Sequence, residues 1–465
     1  YGKEAEGEAW VDDVYFGAPV DAPGAPRALA GTVKGAGRIE VSWQAPEAGV
    51  AVAYLVFRSR FPDLTAGEPA VARVAGSEWA DEAVPDWPRV YYRVAAMDGV
   101  HQVGALSPVC RVDRPVTGGQ PPAAVVWTCS ALEKVRRYAS SPVPAGRTEV
   151  HLELARNEVE WGQVLITAGQ ELRGVVVSVA PLQRQGQAVA GGSVALYRAG
   201  YTQVARPTLP GAKPGLQPDP LPPLSGAFDI PVDATQAIWV QVHTAAECEP
   251  GPAESLVTVA VPGQPVVTVP VRVTVFGFAL PETPSFMSAF ALWGRFIELA
   301  YGAKAGSPEY NRLYESYYWF MVEHRLPPDD LPVPVASPEA ARFLNDARVG
   351  SFRVPVGWNR VNADETRSVV ARLRDQGWLR KGYVYCYDEP TPEQYARCRE
   401  LADQVHSLGK DVPFLLTEQP EKELFGAVDI WCPILSEIRW DAVEARRAVG
   451  ERLWWYTCCG PQAPY

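Results

Sequence analysis

The stretch Gly382-Tyr383-Val384-Tyr385-Cys386-Tyr387-Asp388-Glu389-Pro390-Thr391-Pro392-Glu393-Gln394-Tyr395 decides the fold of the C-terminal part of the chain. An apolar, aromatic run of strand character ends in two adjacent carboxylates, and a helix start follows at once. Thr391 stands where an N-cap belongs and Pro392 at the first helical position. Pro390 restrains Glu389 to extended geometry, which holds the acidic pair at the strand end rather than winding it into the helix. The same cadence recurs from Pro281 onward. Strands are expected at 286–293, 331–335, 351–356, 382–387, 413–416, 428–434 and 452–458. Helical patterns are expected at 308–323, 338–347, 364–376, 392–408, 420–424 and 436–449. Strands alternating with helices signal βα units and a parallel sheet. The series predicts an α/β (β/α)8 TIM-type barrel over 281–465, incomplete at its C-terminal end. A doubly wound open sheet is the alternative, and it lacks a glycine-rich phosphate loop.

Upstream the pattern changes to short alternating runs separated by Gly, Pro and Asp. Proline, at 44 of 465 residues, is dense there, as it is at the edges and turns of β-domains. Strands are expected at 38–43, 53–58, 90–96 and 109–112. A second set follows at 148–154, 162–168, 174–180, 194–199, 237–243, 257–261 and 265–275, in which alternation is plainest from Val266 to Val275. The N-terminal half is therefore expected to be all-β. Its divisions are a β-domain remnant at 1–17, a β-domain at 21–114, a Gly/Pro linker, a β-sandwich at 124–280, and a long surface loop over 207–223.

Composition narrows the function. Hydrophobic residues are 47% and charged residues 21%, which suits packed cores. A net charge of −11 argues against nucleic acid as the partner. No uncharged apolar run is long enough to insert in a membrane. Eight cysteines form no C-x-x-C pair, and no His stands at zinc-ligand spacing, so no metal and no cofactor are expected. Cys458-Cys459 reads as two packed thiols or a vicinal bridge. With 15 Trp and 19 Tyr the chain has aromatic faces of the kind that stack on sugar rings.

In a (β/α)8 barrel the chemistry lies at the C-terminal strand ends, which here carry Trp293, Trp358 with Asn359, Asp388 with Glu389, Glu418 and Tyr456. Retaining glycosidases place two carboxylates roughly 5 Å apart across the bond they cleave. Neighbouring residues, with Cα atoms about 3.8 Å apart, do not straddle a bond in that way. They suit a substrate that supplies its own nucleophile, a 2-acetamido oxygen. One carboxylate then orients the acetamido group while the other serves as acid and later as base. Strict alternation sends Asp388 and Glu389 to opposite faces, so both can serve only where the strand end twists or bulges. Trp293, Tyr387, Trp431 and Tyr456 are expected at the sugar, with Tyr456 able to donate to the acetamido carbonyl. His324 and Glu418 are further candidates for substrate contact.

Three resemblances bear on this reading. Residues 21–114 resemble a fibronectin type III domain, on Pro23, Pro26, Val41-Ser42-Trp43, Tyr54-Leu55-Val56-Phe57-Arg58, Tyr91-Tyr92-Arg93-Val94-Ala95-Ala96 and Ser107. That implies a spacer or docking module, with Trp43 in the core and a corner hydrogen bond from Tyr91 or Tyr92. The run Trp10-Val11-Asp12-Asp13-Val14 is similar to the last strand of a jelly-roll carbohydrate-binding module. Residues 145–465 resemble glycoside hydrolase family 123, retaining β-N-acetylgalactosaminidases, and their relatives. The motifs are Ala155-Arg156-Asn157-Glu158-Val159-Glu160-Trp161-Gly162-Gln163, Val275-Phe276-Gly277-Phe278-Ala279-Leu280-Pro281, Glu323-His324-Arg325 and Tyr387-Asp388-Glu389-Pro390. This resemblance implies that Asp388 assists the acetamido group and Glu389 is the general acid/base. It implies release of terminal β-linked N-acetylgalactosamine from a glycan or glycoconjugate, by a secreted, cell-surface or periplasmic protein. A non-catalytic glycan-binding or scaffold protein, or a glycosidase for another glycan, is the alternative.

Overall fold

The computed structural model describes residues 21–35, 37–65, 68–115, 122–138, 148–205, 207 and 214–458. The expected strand remnant at 1–17 lies outside them, as do Cys459, most of the Gly/Pro linker and part of the 207–223 loop. The chain divides into two compact units, Tyr1–Leu280 and Pro281–Tyr465.

Every regular element among the described residues of the first unit is a β-strand. A three-stranded sheet (Arg27–Gly35, Arg38–Gln44, Glu78–Asp81) faces a five-stranded one built on Ala53–Ser59 and Arg89–Met97. Strict alternation in Arg38–Gln44 buries Ile39, Val41 and Trp43 and leaves the residues between them exposed. Trp43 meets Tyr54 edge-on, with ring centroids 5.4 Å apart. The tyrosines behave differently from expectation. Tyr92 donates to the carboxylate of Asp81 at 2.7 Å, and Tyr91 donates to Asp233 at 3.0 Å. Neither makes the expected corner bond to backbone. Asp81 is 1% exposed and also takes Arg58 Nη1 at 2.8 Å. Asp81→Ala strands the Arg58 charge and the Tyr92 hydroxyl together, and is expected to cost about 3 kcal/mol, read as a lower urea midpoint.

Two further sheets follow in the same unit. One has the order Gly192–Arg198, Thr235–Thr244, Glu158–Ala168, Ala124–Ser130. The other runs Val150–Arg156, Val267–Ala279, Gly251–Ala260, Leu172–Val179, Phe228–Ile230. Their facing sides share one apolar core that includes Leu154, Ile166, Val240, Val257 and Val271. Asn157 turns the chain between two strands at φ 58°, and its side-chain amide donates to Leu280 O at 2.9 Å. Asp233 of this sandwich also takes Arg89 Nη1 at 2.6 Å, so Arg89 and Tyr91 of the preceding strands share one carboxylate.

The second unit alternates short parallel segments with helices. Phe290 bridges Pro328, and Arg353 N donates to Asp329 O at 2.7 Å. Phe352–Arg353 pairs with Gly382–Tyr383, and Val384 bridges Phe414. Leu415–Leu416 pairs with Ile430–Trp431, which pairs with Arg452–Leu453, and Ile434 bridges Tyr456. Each pairing is parallel and joins a segment to its successor in the chain. Helices Pro308–Glu323, Ala363–Asp375, Tyr395–His406 and Trp440–Arg447 lie close to their expected places. The Ser307 hydroxyl caps the first of these, accepting from Tyr310 N at 3.2 Å, with Pro308 at its first position. Thr391 and Gln394 form a capping box. Over 286–293 the structure departs from the expected strand. Only the Phe290 bridge remains, and a helix, Gly294–Tyr301, begins at once. No helix of the described residues is long and apolar enough to cross a membrane.

The parallel series has two apolar faces. Val384, Phe414, Leu416 and Trp431 pack with Tyr318, Val370, Leu373, Leu401 and Val405 of the helices. Tyr383, Leu415, Ile430 and Cys432 form a separate inner cluster with Tyr385, Trp454 and Tyr456. Alternating residues of each strand therefore serve opposite faces, and the inner face carries the site.

Candidate active site

Alternation from Tyr383 and Tyr385, both inner, puts Tyr387 on the inner face as well. The structure breaks the pattern there. Tyr387 packs with the helix-facing core beside Cys386, and Asp388 takes the inner position. Glu389 is not extended as expected ahead of Pro390: it adopts φ 40°, a left-handed backbone that a residue with a side chain rarely holds, with its amide bonded across to Thr417. This departure is the twist that two adjacent carboxylates need in order to share a site.

Asp388 and Glu389 are both exposed and both held. Asp388 Oδ1 accepts Tyr385 Oη at 2.6 Å and Thr417 Oγ1 at 2.8 Å. The Glu389 amide donates to the same Thr417 hydroxyl at 2.8 Å. Glu389 Oε1 accepts Tyr456 Oη. Burial and the Asp388 carboxylate push the Tyr385 phenol well above its ordinary value, and burial with Glu389 does the same for Tyr456. Both phenols thus stay protonated and act as donors. Burial and the nearby Asp388 charge raise Cys432 to about 12, which keeps its thiol neutral beneath the pair. Trp358 stands edge-on to Tyr385, with ring centroids 5.6 Å apart, and remains 57% exposed.

Of the residues expected at substrate, Tyr456 joins the pair and Trp293 stands at a segment end. Trp293 is 63% exposed and stacks on Phe296 at 5.8 Å. The others are corrected. Trp431 is 1% exposed and packs among the helices, its indole N–H bonded to Glu451, because the next residue, Cys432, takes the inner face. Tyr387 is displaced outward by the break in alternation. Glu418 is turned away from the pair. It accepts Tyr395 Oη at 3.3 Å and Gln419 N at 2.6 Å, and burial raises its carboxyl above the usual range. His324 ends helix Pro308–Glu323, ahead of the Pro328 segment and so at the opposite end of the strands from Asp388. Its ring bonds Phe320 O at 2.7 Å.

Two residues of the site, Tyr385 and Thr417, are not among those the sequence points to. Tyr385 was legible from its spacing to Asp388 once the inner face is known. Thr417 carries no local signal, because its role depends on pairing between strands.

This arrangement provides one carboxylate held by two hydroxyl donors and a second held by one, side by side at a strand end. It can orient an N–H, protonate a leaving oxygen and later deprotonate water. Among the described residues no cluster of His, Cys, Asp and Glu is arranged to hold a metal ion.

Comparison with known proteins gives three findings. The family model described as "Glycoside hydrolase 123, catalytic domain" matches residues 283–465. The fold is similar to a family 123 glycoside hydrolase from Clostridium perfringens, solved for the details of glycolipid glycan hydrolysis. That match has a TM-score of 0.52 and 11% identity, and covers 74% of this chain and 73% of that one. The sixth fibronectin type III domain of a human fibronectin type III domain containing protein matches 22% of this chain and 94% of its own length. Its identity is 18% and its TM-score 0.18. None of the curated proteins matches the chain.

Proposed function

We propose, from the match of residues 283–465 to the glycoside hydrolase 123 catalytic-domain model, that the chain removes terminal β-linked N-acetylgalactosamine by retaining, substrate-assisted hydrolysis. The observation that carries this reading is the shared placement of Asp388 and Glu389, neighbours in sequence that meet on one face. In the first step the substrate's acetamido oxygen attacks C1. The bond from C1 to the leaving oxygen breaks as Glu389 gives that oxygen its proton. Asp388 accepts the acetamido N–H and balances the positive charge of the oxazoline-like intermediate. In the second step Glu389 takes a proton from water, the water oxygen bonds C1, and the acetamido group is restored. Two inversions give net retention.

The parallel series of the second unit is read as the wall of a (β/α)8-type barrel, supported by the joining of each segment to its successor. Residues 21–114 are read as a fibronectin type III-like module, supported by the paired antiparallel sheets and the Trp43 core, and 124–280 as a β-sandwich. A glycan carried by a glycolipid or other glycoconjugate is the substrate class. A secreted, periplasmic or cell-surface location fits that class.

The test is an aryl 2-acetamido-2-deoxy-β-galactoside against the matching β-galactoside. With the nucleophile carried by the substrate, the acetamido compound is expected to be turned over at least ~10³-fold faster, since an internal nucleophile is worth a large effective concentration. Comparable turnover of both would require a nucleophile from the protein and would sink the mechanism.

A further inference from the structure

We propose that Thr417 is the positioning residue of the acidic pair, its one hydroxyl setting where both carboxylates meet the substrate. This rests on the substrate-assisted reading above. A hydroxyl has one hydrogen to donate and lone pairs to accept with. Thr417 uses both capacities on the pair. It donates to Asp388 Oδ1 and accepts the Glu389 amide hydrogen, each at 2.8 Å.

The second of these bonds matters for the backbone. Glu389 stands at φ 40°, and the Thr417 hydroxyl receives the amide that this turn points across to the next strand. It therefore stabilises the conformation that brings Glu389 beside Asp388. The first bond matters for aim. Tyr385 Oη and Thr417 Oγ1 converge on the same oxygen of Asp388, which turns the carboxylate with Oδ2 as the atom offered to an acetamido N–H. Of the two acids, the Tyr385 hydroxyl bonds Asp388 and the Tyr456 hydroxyl bonds Glu389. Thr417 touches both. Threonine is suited to this because its branched Cβ restricts χ1 and holds the hydroxyl in place.

The test uses the full chain with Thr417→Val, which keeps the shape and deletes the hydroxyl, and Thr417→Ser, which keeps the hydroxyl. On the aryl 2-acetamido-2-deoxy-β-galactoside, Thr417→Val is expected to lower kcat by about 10²-fold, the loss typical of a misplaced reacting group. KM stays within about threefold, and Thr417→Ser keeps kcat within about threefold of the parent. A Val variant with the parent's kcat overturns the proposal, as does a Ser variant as impaired as the Val variant. Thr417→Ala supplies the same comparison where the Val variant does not fold. Should the parent chain turn over neither glycoside, the functional reading fails on its own. The grip of Thr417 on the pair is then read from a double-mutant cycle of Thr417→Val and Asp388→Ala in urea unfolding. Non-additive midpoints uphold the link, and additive ones overturn it.

Discussion

Glu389→Gln is expected to lower kcat on an aryl 2-acetamido-2-deoxy-β-galactoside by about 10³-fold, within the range that a positioned acid and base contributes. The substitution is nearly isosteric, and the amide oxygen still accepts the Tyr456 hydrogen that now reaches Glu389 Oε1. Geometry is kept while the transferable proton is lost. The leaving group gives the sharper diagnosis. A dinitrophenyl glycoside departs without protonation, so its first step should proceed in the variant and its second step should become limiting, because no base activates water. A burst of released phenol followed by slow turnover, measured by stopped-flow absorbance, is the signature. An equal loss of rate on good and poor leaving groups, with no burst, would remove Glu389 from the acid's role.

Asp388→Asn is the second large effect. In the proposed mechanism this carboxylate accepts the acetamido N–H and balances the cationic ring from a fixed position, held by Tyr385 and Thr417. Removing one such preorganised electrostatic contact costs roughly 10²–10³-fold in kcat. Asparagine keeps an oxygen for the two hydroxyl donors, yet turns an NH2 group towards the acetamido N–H, so donor faces donor. The loss is expected in kcat on the acetamido substrate, with little change in fold or in thermal midpoint. Activity within threefold of the parent would show that the acetamido nitrogen is held elsewhere.

Much of this architecture is legible from local patterns. The Thr391–Gln394 capping box, the Ser307-Pro308 helix start and the alternation through Val267–Ala279 are each set by residues close together in the chain. Helix Gly294–Tyr301 escaped because its N-cap is Trp293, which makes no side-chain cap bond, and the apolar run before it reads as strand. The acidic pair is likewise visible in sequence, including the need for a twist at the strand end. Its neighbours are less so. Type and position point Tyr387, Trp431 and Glu418 to the sugar, but facing is decided by a slip of one residue at Cys386-Tyr387 and by which strand residue begins the inner face. Thr417, one residue from Glu418, shows how much hangs on that parity.

The carboxylate of Asp233 belongs to the sandwich and is held by Arg89 and Tyr91 of the strands before it. Consecutive β-modules are often pictured as beads on a string, free to swivel at each joint. A salt bridge and a phenol converging on one acid make a weld instead. The strands before residue 114 and the sheets after residue 124 accordingly fall in one compact unit. In solution these parts are expected to tumble with one correlation time, and Asp233→Ala is expected to split it in two, read from NMR relaxation.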